Sequence, residues 1–97
     1  MTVTWDQAGT TTIISLHGHL DTQTAPILHQ ELQKGLARIR KLYWDCKDLE
    51  YMTSAGIREM LIARSLLDEG ADMKVINANA AIQNALYLIG MTDLIEK

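Results

Sequence analysis

The sequence contains no phenylalanine, a single cysteine, a single proline and no apolar stretch near the length of a membrane span. With Phe missing and aromatics at 5% of 97 residues, the core has to be filled by Leu, Ile, Ala, Val and five Met. A lone Cys46 has no partner for an internal disulfide, and Met1 to Asp6 lack the basic segment and apolar run of an export signal, so the expected compartment is the cytoplasm. The longest apolar runs, such as Met60 to Ala63, fall far short of the roughly 20 residues that cross a bilayer, and no direct membrane insertion is expected. A formal charge of -3, with basic residues gathered only at Arg38, Arg40 and Lys41, leaves no basic stripe for nucleic acid. There is no phosphate-cradling Gly-rich motif, no dinucleotide fingerprint and no nucleophile with a nearby His base, so neither an enzyme nor a cofactor is expected.

What is there fits one domain over residues 1–97, since 47% apolar and 22% charged residues is an ordinary globular balance. Residues 3–6 and 11–16 are rich in β-branched types and separated by a Gly-containing break, which predicts a hairpin. Ile27, Leu28, Leu32, Leu36 and Ile39 recur at helical spacing behind Pro26, predicting a first helix over about 24–38. Leu42 to Cys46 reads as a short central strand. Ile57, Met60, Leu61, Arg64 and Leu67 give a second amphipathic helix closing at Gly70. Met73 to Ile76 is a further strand, and Ala80 to Ile89 a third helix ending at Gly90, before a short tail of helical turn or strand. Strands alternating with helices imply crossover units. The expected fold is α/β, a mixed sheet of about four to five strands whose parallel middle is extended by the antiparallel hairpin, with about three to four helices packed on it.

The chemistry-bearing segment is Asp48 to Ile57, where an extended stretch turns into a helix and presents the hydroxyls of Thr53 and Ser54. Either can cap that helix, and as a cap Ser54 would be worth about 1 kcal/mol. The free N–H groups and dipole of a helix start also accommodate the negative charge of a phosphate. A phosphate brings about 1.5 to 2 negative charges and three acceptor oxygens, enough to switch a protein interface. Gly56 in the first turn permits either close approach of a partner or tight packing of helix on strand.

The run Met52-Thr53-Ser54-Ala55-Gly56-Ile57 resembles the Met-Asp-Ser-(Ser/Thr)-Gly-Leu signature of anti-sigma factor antagonists of the STAS family. Gly18-His19-Leu20-Asp21, followed by Ala25-Pro26, is similar to that family's Gly-Glu-(Leu/Ile)-Asp and Ala-Pro before the first helix. Ala78 to Leu94, with Gly90-Met91, is similar to its last helix and closing turn. The resemblance covers essentially the whole chain and implies a STAS fold in which Ser54 is phosphorylated by an ATP-using serine kinase that doubles as an anti-sigma factor. The unphosphorylated form would bind that partner, and a metal-dependent serine phosphatase would reset the switch. It further implies a partner surface of Asp21, Thr22, Thr53, Ser54, Ala55 and Gly56, to which Arg58, one turn beyond Ser54, is added. Thr53 stands where many phosphorylated members carry Asp, which makes it a second candidate acceptor and keeps open a constitutive, unphosphorylated STAS subunit of an ABC-type lipid transporter. Asp21 has an alternative role as a loop residue capping the first helix.

Other polar groups point elsewhere. His17, His19 and His29 lack the carboxylate or Cys partners of a metal site, so no metal is expected. Cys46, beside Trp44 in the central strand, reads as an inert buried thiol. Arg58, Glu59, Arg64, Asp68 and Glu69 read as the solvated face of the second helix.

Overall fold

The computed structural model describes residues 1–96. Its first two strands, β1 (Thr2–Ala8) and β2 (Thr11–Leu20), pair antiparallel from Thr2 opposite His17 to Ala8 opposite Thr11. Gly9 turns between them at a φ of 64°, a conformation that β-branched neighbours resist. β3 (Lys41–Met52) runs parallel to β2, and β4 (Asp72–Ile76) parallel to β3, giving the sheet order β1-β2-β3-β4. The sheet grows in one direction through two crossovers. Right-handed crossovers in one direction place their helices on the same face.

That face is written in the alternation of the strands. Thr12, Ile14 and Leu16 of β2, Leu42, Trp44 and Cys46 of β3, and Met73 and Val75 of β4 are buried, while the residues between them face the open side. Against them lie α1 (Ala25–Leu32), α2 (Ser54–Leu66) and α3 (Ala80–Ile89), contributing Leu28, Leu32, Ile57, Met60, Ala63, Ile82 and Leu86. Each fully buried Leu or Ile side chain favours the folded state by roughly 1.5–3 kcal/mol. Trp5 Nε1 donates to Glu31 Oε1 at 2.9 Å and ties the hairpin to α1. No helix among the described residues is long and apolar enough to cross a membrane.

Several boundaries depart from the sequence expectation. α1 ends at Leu32 rather than near residue 38, because its closing bonds contract to i→i+3 at Gln33, Lys34 and Gly35, and Gly35 then turns at a φ of 92°. Leu36 and Ile39 are buried as their spacing suggests, but from the loop. β3 extends to Met52 rather than stopping at Cys46. It pairs with β2 along its length through two irregularities, between Ser15 and His17 and between Gly18 and Leu20, and its polar run Lys47, Asp48 and Glu50 stays on the exposed side. α2 stops at Leu66, where Leu67 turns extended at a ψ of 151°. Gly70 and the charged Asp68 and Glu69 therefore lie in the following turn, not on the helix.

The third helix matches its expected bounds. Asn79 Oδ1 accepts from the Ile82 amide at 2.9 Å and Gly90 closes the helix at a φ of 78°. Asn79 Nδ2 also donates to the Leu49 and Glu50 carbonyls, fastening α3 to the far end of β3. The tail is both a turn and an edge: a 3₁₀ turn over Thr92–Leu94 leads to a parallel bridge between Ile95 and Val75.

One packing contact fixes where α2 begins. A Cβ at Gly56 would press into Leu20 Cγ, 2.7 Å from Leu20 Cδ2 and 3.0 Å from Met52 Cγ. Overpacking costs about 1–3 kcal/mol while Ala gains about 1 kcal/mol in helix propensity over Gly, so Gly56→Ala is expected to lose up to about 2 kcal/mol. Urea denaturation checks this; a variant at least as stable as the parent would contradict the close fit.

Candidate functional site

The ends of β2 and β3 lie side by side, Leu20 opposite Met52, and the Thr53 amide donates to the Leu20 carbonyl at 2.9 Å. This brings the loop after β2 beside the start of α2, so Asp21 and Thr22 stand near the Thr53 to Arg58 segment although some 30 residues separate Asp21 from Tyr51 in the chain. Thr53 is the last extended residue, at a φ of -103° and a ψ of 177°, and its carbonyl accepts from the Gly56 and Ile57 amides at 3.0 and 3.1 Å.

Neither hydroxyl caps α2 with its side chain, contrary to expectation. Thr53 Oγ1 turns inward, enclosed and without a hydrogen-bond partner. Ser54 is the first helical residue and is exposed, so its hydroxyl is open to solvent at a helix start that no side chain occupies. The cap energy expected for Ser54 is absent in consequence. Gly56 is buried against Leu20 and Met52 and packs beneath the surface. Ala55 is half-buried, and Thr22 and Arg58 are exposed.

Two clefts flank the head of α2, and Ser54 lines the one toward α3. One, of about 430 Å³, runs between α1 and α2 and is lined by Thr22, Pro26, His29, Ala55, Arg58 and Glu59. The other, of about 300 Å³, lies toward α3, where Thr53, Ser54 and Ile57 face Ala85, Leu88 and Ile89. Leu88, 73% exposed, and Ile89, 44% exposed, give the flank on that side an apolar character.

Asp21 organises the loop. Its Oδ1 accepts from the Gln23 and Thr24 amides at 2.9 and 3.1 Å and lies 3.2 Å from the Thr24 hydroxyl, while the Asp21 carbonyl accepts from Ala25 at 2.8 Å. Its Oδ2 accepts from the Tyr51 hydroxyl at 3.1 Å, and the Tyr51 ring stacks on His19, centroids 5.3 Å apart and planes within 8°. His19 Nε2 lies 3.5 Å from the same carboxylate oxygen. Partial burial pushes the Asp21 carboxyl up, but the bonds from Thr24, Tyr51 and Gln23 outweigh it and hold the group below its ordinary value of 3.8. Tyr51, bonded to that carboxylate, is pushed up. Sequence reading did not single out Tyr51. Its only signal was its place beside Met52, since the bond that gives it a role spans the fold.

The three histidines do not converge. His17 lies 3.4 Å from Asp48, His19 beside Asp21, and His29 2.9 Å from Glu59. Among the described residues no three His, Cys, Asp or Glu side chains are placed to hold a metal ion. Cys46 is buried, and burial, aided by the Asp45 charge, pushes its thiol up to about 12. Glu59 is half-buried in its bond to His29, so it is less solvated than its helix position suggests, whereas Arg64 is exposed and pairs with Asp93 at 3.5 Å on the surface.

A mixed sheet covered by helices on one face, with an exposed serine at the head of the second helix, defines a small α/β domain. Compared with known proteins, the chain matches over residues 3–96 the family described as Mlab, STAS domain, and it belongs to that STAS family. No curated protein matches it. Among solved structures it is similar to the anti-sigma factor antagonist SpoIIAA in its unphosphorylated form, with a TM-score of 0.82 at 15% identity, covering 98% of this chain and 86% of that one. An anti-sigma factor antagonist from Mycobacterium paratuberculosis gives a TM-score of 0.82 at 19% identity, covering 97% and 81%. The Bacillus cell fate determinant SpoIIAA in the phosphorylated form gives 0.72 at 16%, covering 98% and 89%. At such identities the shared property is the fold.

Two outcomes follow from the site's electrostatics. Tyr51→Phe removes one bond to Asp21 and is expected to raise that carboxyl toward 3.8, read by carbon-detected NMR titration. Because the folded value is depressed, the stability Asp21 lends is complete above the unfolded value and fades as pH falls through the folded one. An unchanged titration in the variant would remove Tyr51 from the account. Cys46 is expected to resist iodoacetamide at pH about 8 in the folded protein and to react on unfolding; rapid native alkylation by mass spectrometry is the contrary result.

Proposed function

We propose that this STAS domain is an anti-sigma factor antagonist-like regulatory protein that acts by partner switching and not by catalysis. Its unphosphorylated form binds a serine kinase that doubles as an anti-sigma factor. Transfer of the γ-phosphoryl group of ATP to Ser54 Oγ, with loss of the hydroxyl proton and departure of ADP, releases the complex. A separate metal-dependent serine phosphatase restores the binding form.

The observation that carries this reading is the exposed Ser54 hydroxyl at an uncapped helix start, in the wall of the cleft toward α3 and next to Ala55, which lines the cleft toward α1. A partner seated across both clefts would cover Ser54, and about 1.5 to 2 added negative charges there would oppose its return. Accessibility favours Ser54 over Thr53 as acceptor, because Thr53 Oγ1 is enclosed. The partner surface is then Thr22, Ser54, Ala55 and Arg58, with Asp21, Thr53 and Gly56 supporting it from below. Placement in the cytoplasm, beside such a kinase, belongs to the same reading.

A second reading has its own observation. The family signature carries Asp before the serine, whereas here the position holds Thr53, whose hydroxyl faces inward and adds no charge to the surface. That favours a constitutive accessory subunit of an ABC-type lipid transporter, using the same face without phosphate chemistry.

Radiolabelled ATP added to extract of the protein's own cells distinguishes the two. Label is expected on the parent and on Thr53→Ala and to be lost in Ser54→Ala, whose fold is preserved because Ser54 makes no capping bond. Label on none of the three would overturn phosphorylation and leave the constitutive subunit.

A further inference from the structure

Side chains that face one another on an α-helix are three and four residues apart. For Arg58 those neighbours within α2 are Ser54, Ala55, Leu61 and Ile62, none of them charged. Glu59, the one carboxylate of α2, is taken by His29 Nδ1 at 2.9 Å. The ion pairs of the described residues all lie elsewhere, at His17, His19, His29, Lys34 and Arg64, so the exposed Arg58 guanidinium has no carboxylate partner. It stands on the rim of the cleft between α1 and α2, an uncompensated cation beside a mainly apolar groove. Among these four neighbours the single position that modification can make anionic is Ser54, one turn toward the helix start.

We infer that Arg58 reads the state of Ser54: free in the unmodified protein, its guanidinium docks an acidic side chain of the partner at the α1–α2 cleft, and a phosphate on Ser54 captures it in an intrahelical pair. The inference rests on Ser54 as phosphoacceptor and says how the modification is felt. Charge complementarity selects an acidic partner side chain, since the Arg58 guanidinium has no carboxylate partner, whereas Glu59 on the same rim is engaged by His29. The geometry of capture is the favourable one, with the anion four residues before the cation and at the positive end of the helix. On phosphorylation the Ser54–Arg58 pair passes from one positive charge to between about -0.5 and -1, so the same event withdraws the anchor and repels the acidic side chain.

The test uses the full chain with phosphoserine placed at position 54 during synthesis, so that it does not depend on any kinase. Phosphorus NMR then follows the second ionisation of the phosphate. With Arg58 present its pKa is expected to lie lower by about 0.2–0.4 or more than in Arg58→Gln, with Arg58→Lys between, and the difference is expected to vanish in urea. An identical phosphate pKa in parent and Arg58→Gln would falsify capture, whatever the kinase assay shows; conversely, a clear shift with no labelling of Ser54 in cell extract would sink the phosphorylation reading alone. Unmodified Arg58→Gln is also expected to bind the kinase that labels Ser54 about tenfold less tightly, as loss of one charge-assisted contact implies. Unchanged affinity would overturn the docking role.

Discussion

The approach of the first turn of α2 to Leu20 and Met52, possible because position 56 has no side chain, is the constraint on which the rest of the site depends. Together with the Thr53 amide bond to the Leu20 carbonyl it locks the head of α2 onto the ends of two parallel strands. A helix held off by even one methylene would tilt away from that seam. Ser54 would then leave its place in the wall of the cleft beside α3.

Above that seam the polar residues divide by what they touch. Asp21, Tyr51 and His19 spend their hydrogen bonds and ring faces on one another and on the loop before α1, so they set the shape of the surface and offer little to a partner. Ser54 and Arg58 have no such engagements. An anchored base with two free polar groups above it is the arrangement expected of a module whose affinity is to be changed by one covalent event without refolding. The exposed Leu88 and Ile89 nearby supply apolar area of the kind that gives protein interfaces their cohesion.

Much of this was legible in the sequence, and the failures have physical causes. The hairpin and α3 are set by local chemistry, β-branched runs around Gly9 and a helix closed by Gly90; α3 has its expected bounds, while the hairpin is present with longer strands, β1 reaching Ala8 and β2 reaching Leu20. The first helix was read too long because Leu36 and Ile39 are buried at helical spacing, and spacing does not show whether burial comes from a helix or a folded-back loop. β3 was read too short because Lys47, Asp48 and Glu50 resemble the end of a strand. Their backbone pairing is a decision of the neighbouring β2, which no local pattern reveals. At the site, the pairing of Asp21's loop with the Ser54 helix came from family resemblance and is matched by the geometry. The inward turn of Thr53 and the Tyr51 to Asp21 bond depend on packing between distant segments, and only the fold discloses them.

The central claim is that the charge state of Ser54 decides whether this surface is occupied. It is tested most directly by fractionating the protein from its own cells by size and mapping Ser54 phosphate in the free and complexed pools by mass spectrometry. Phosphate on Ser54 in the free pool and its absence from the complexed pool is the predicted result; equal occupancy in both pools, or an unmodified chain throughout, would contradict the account.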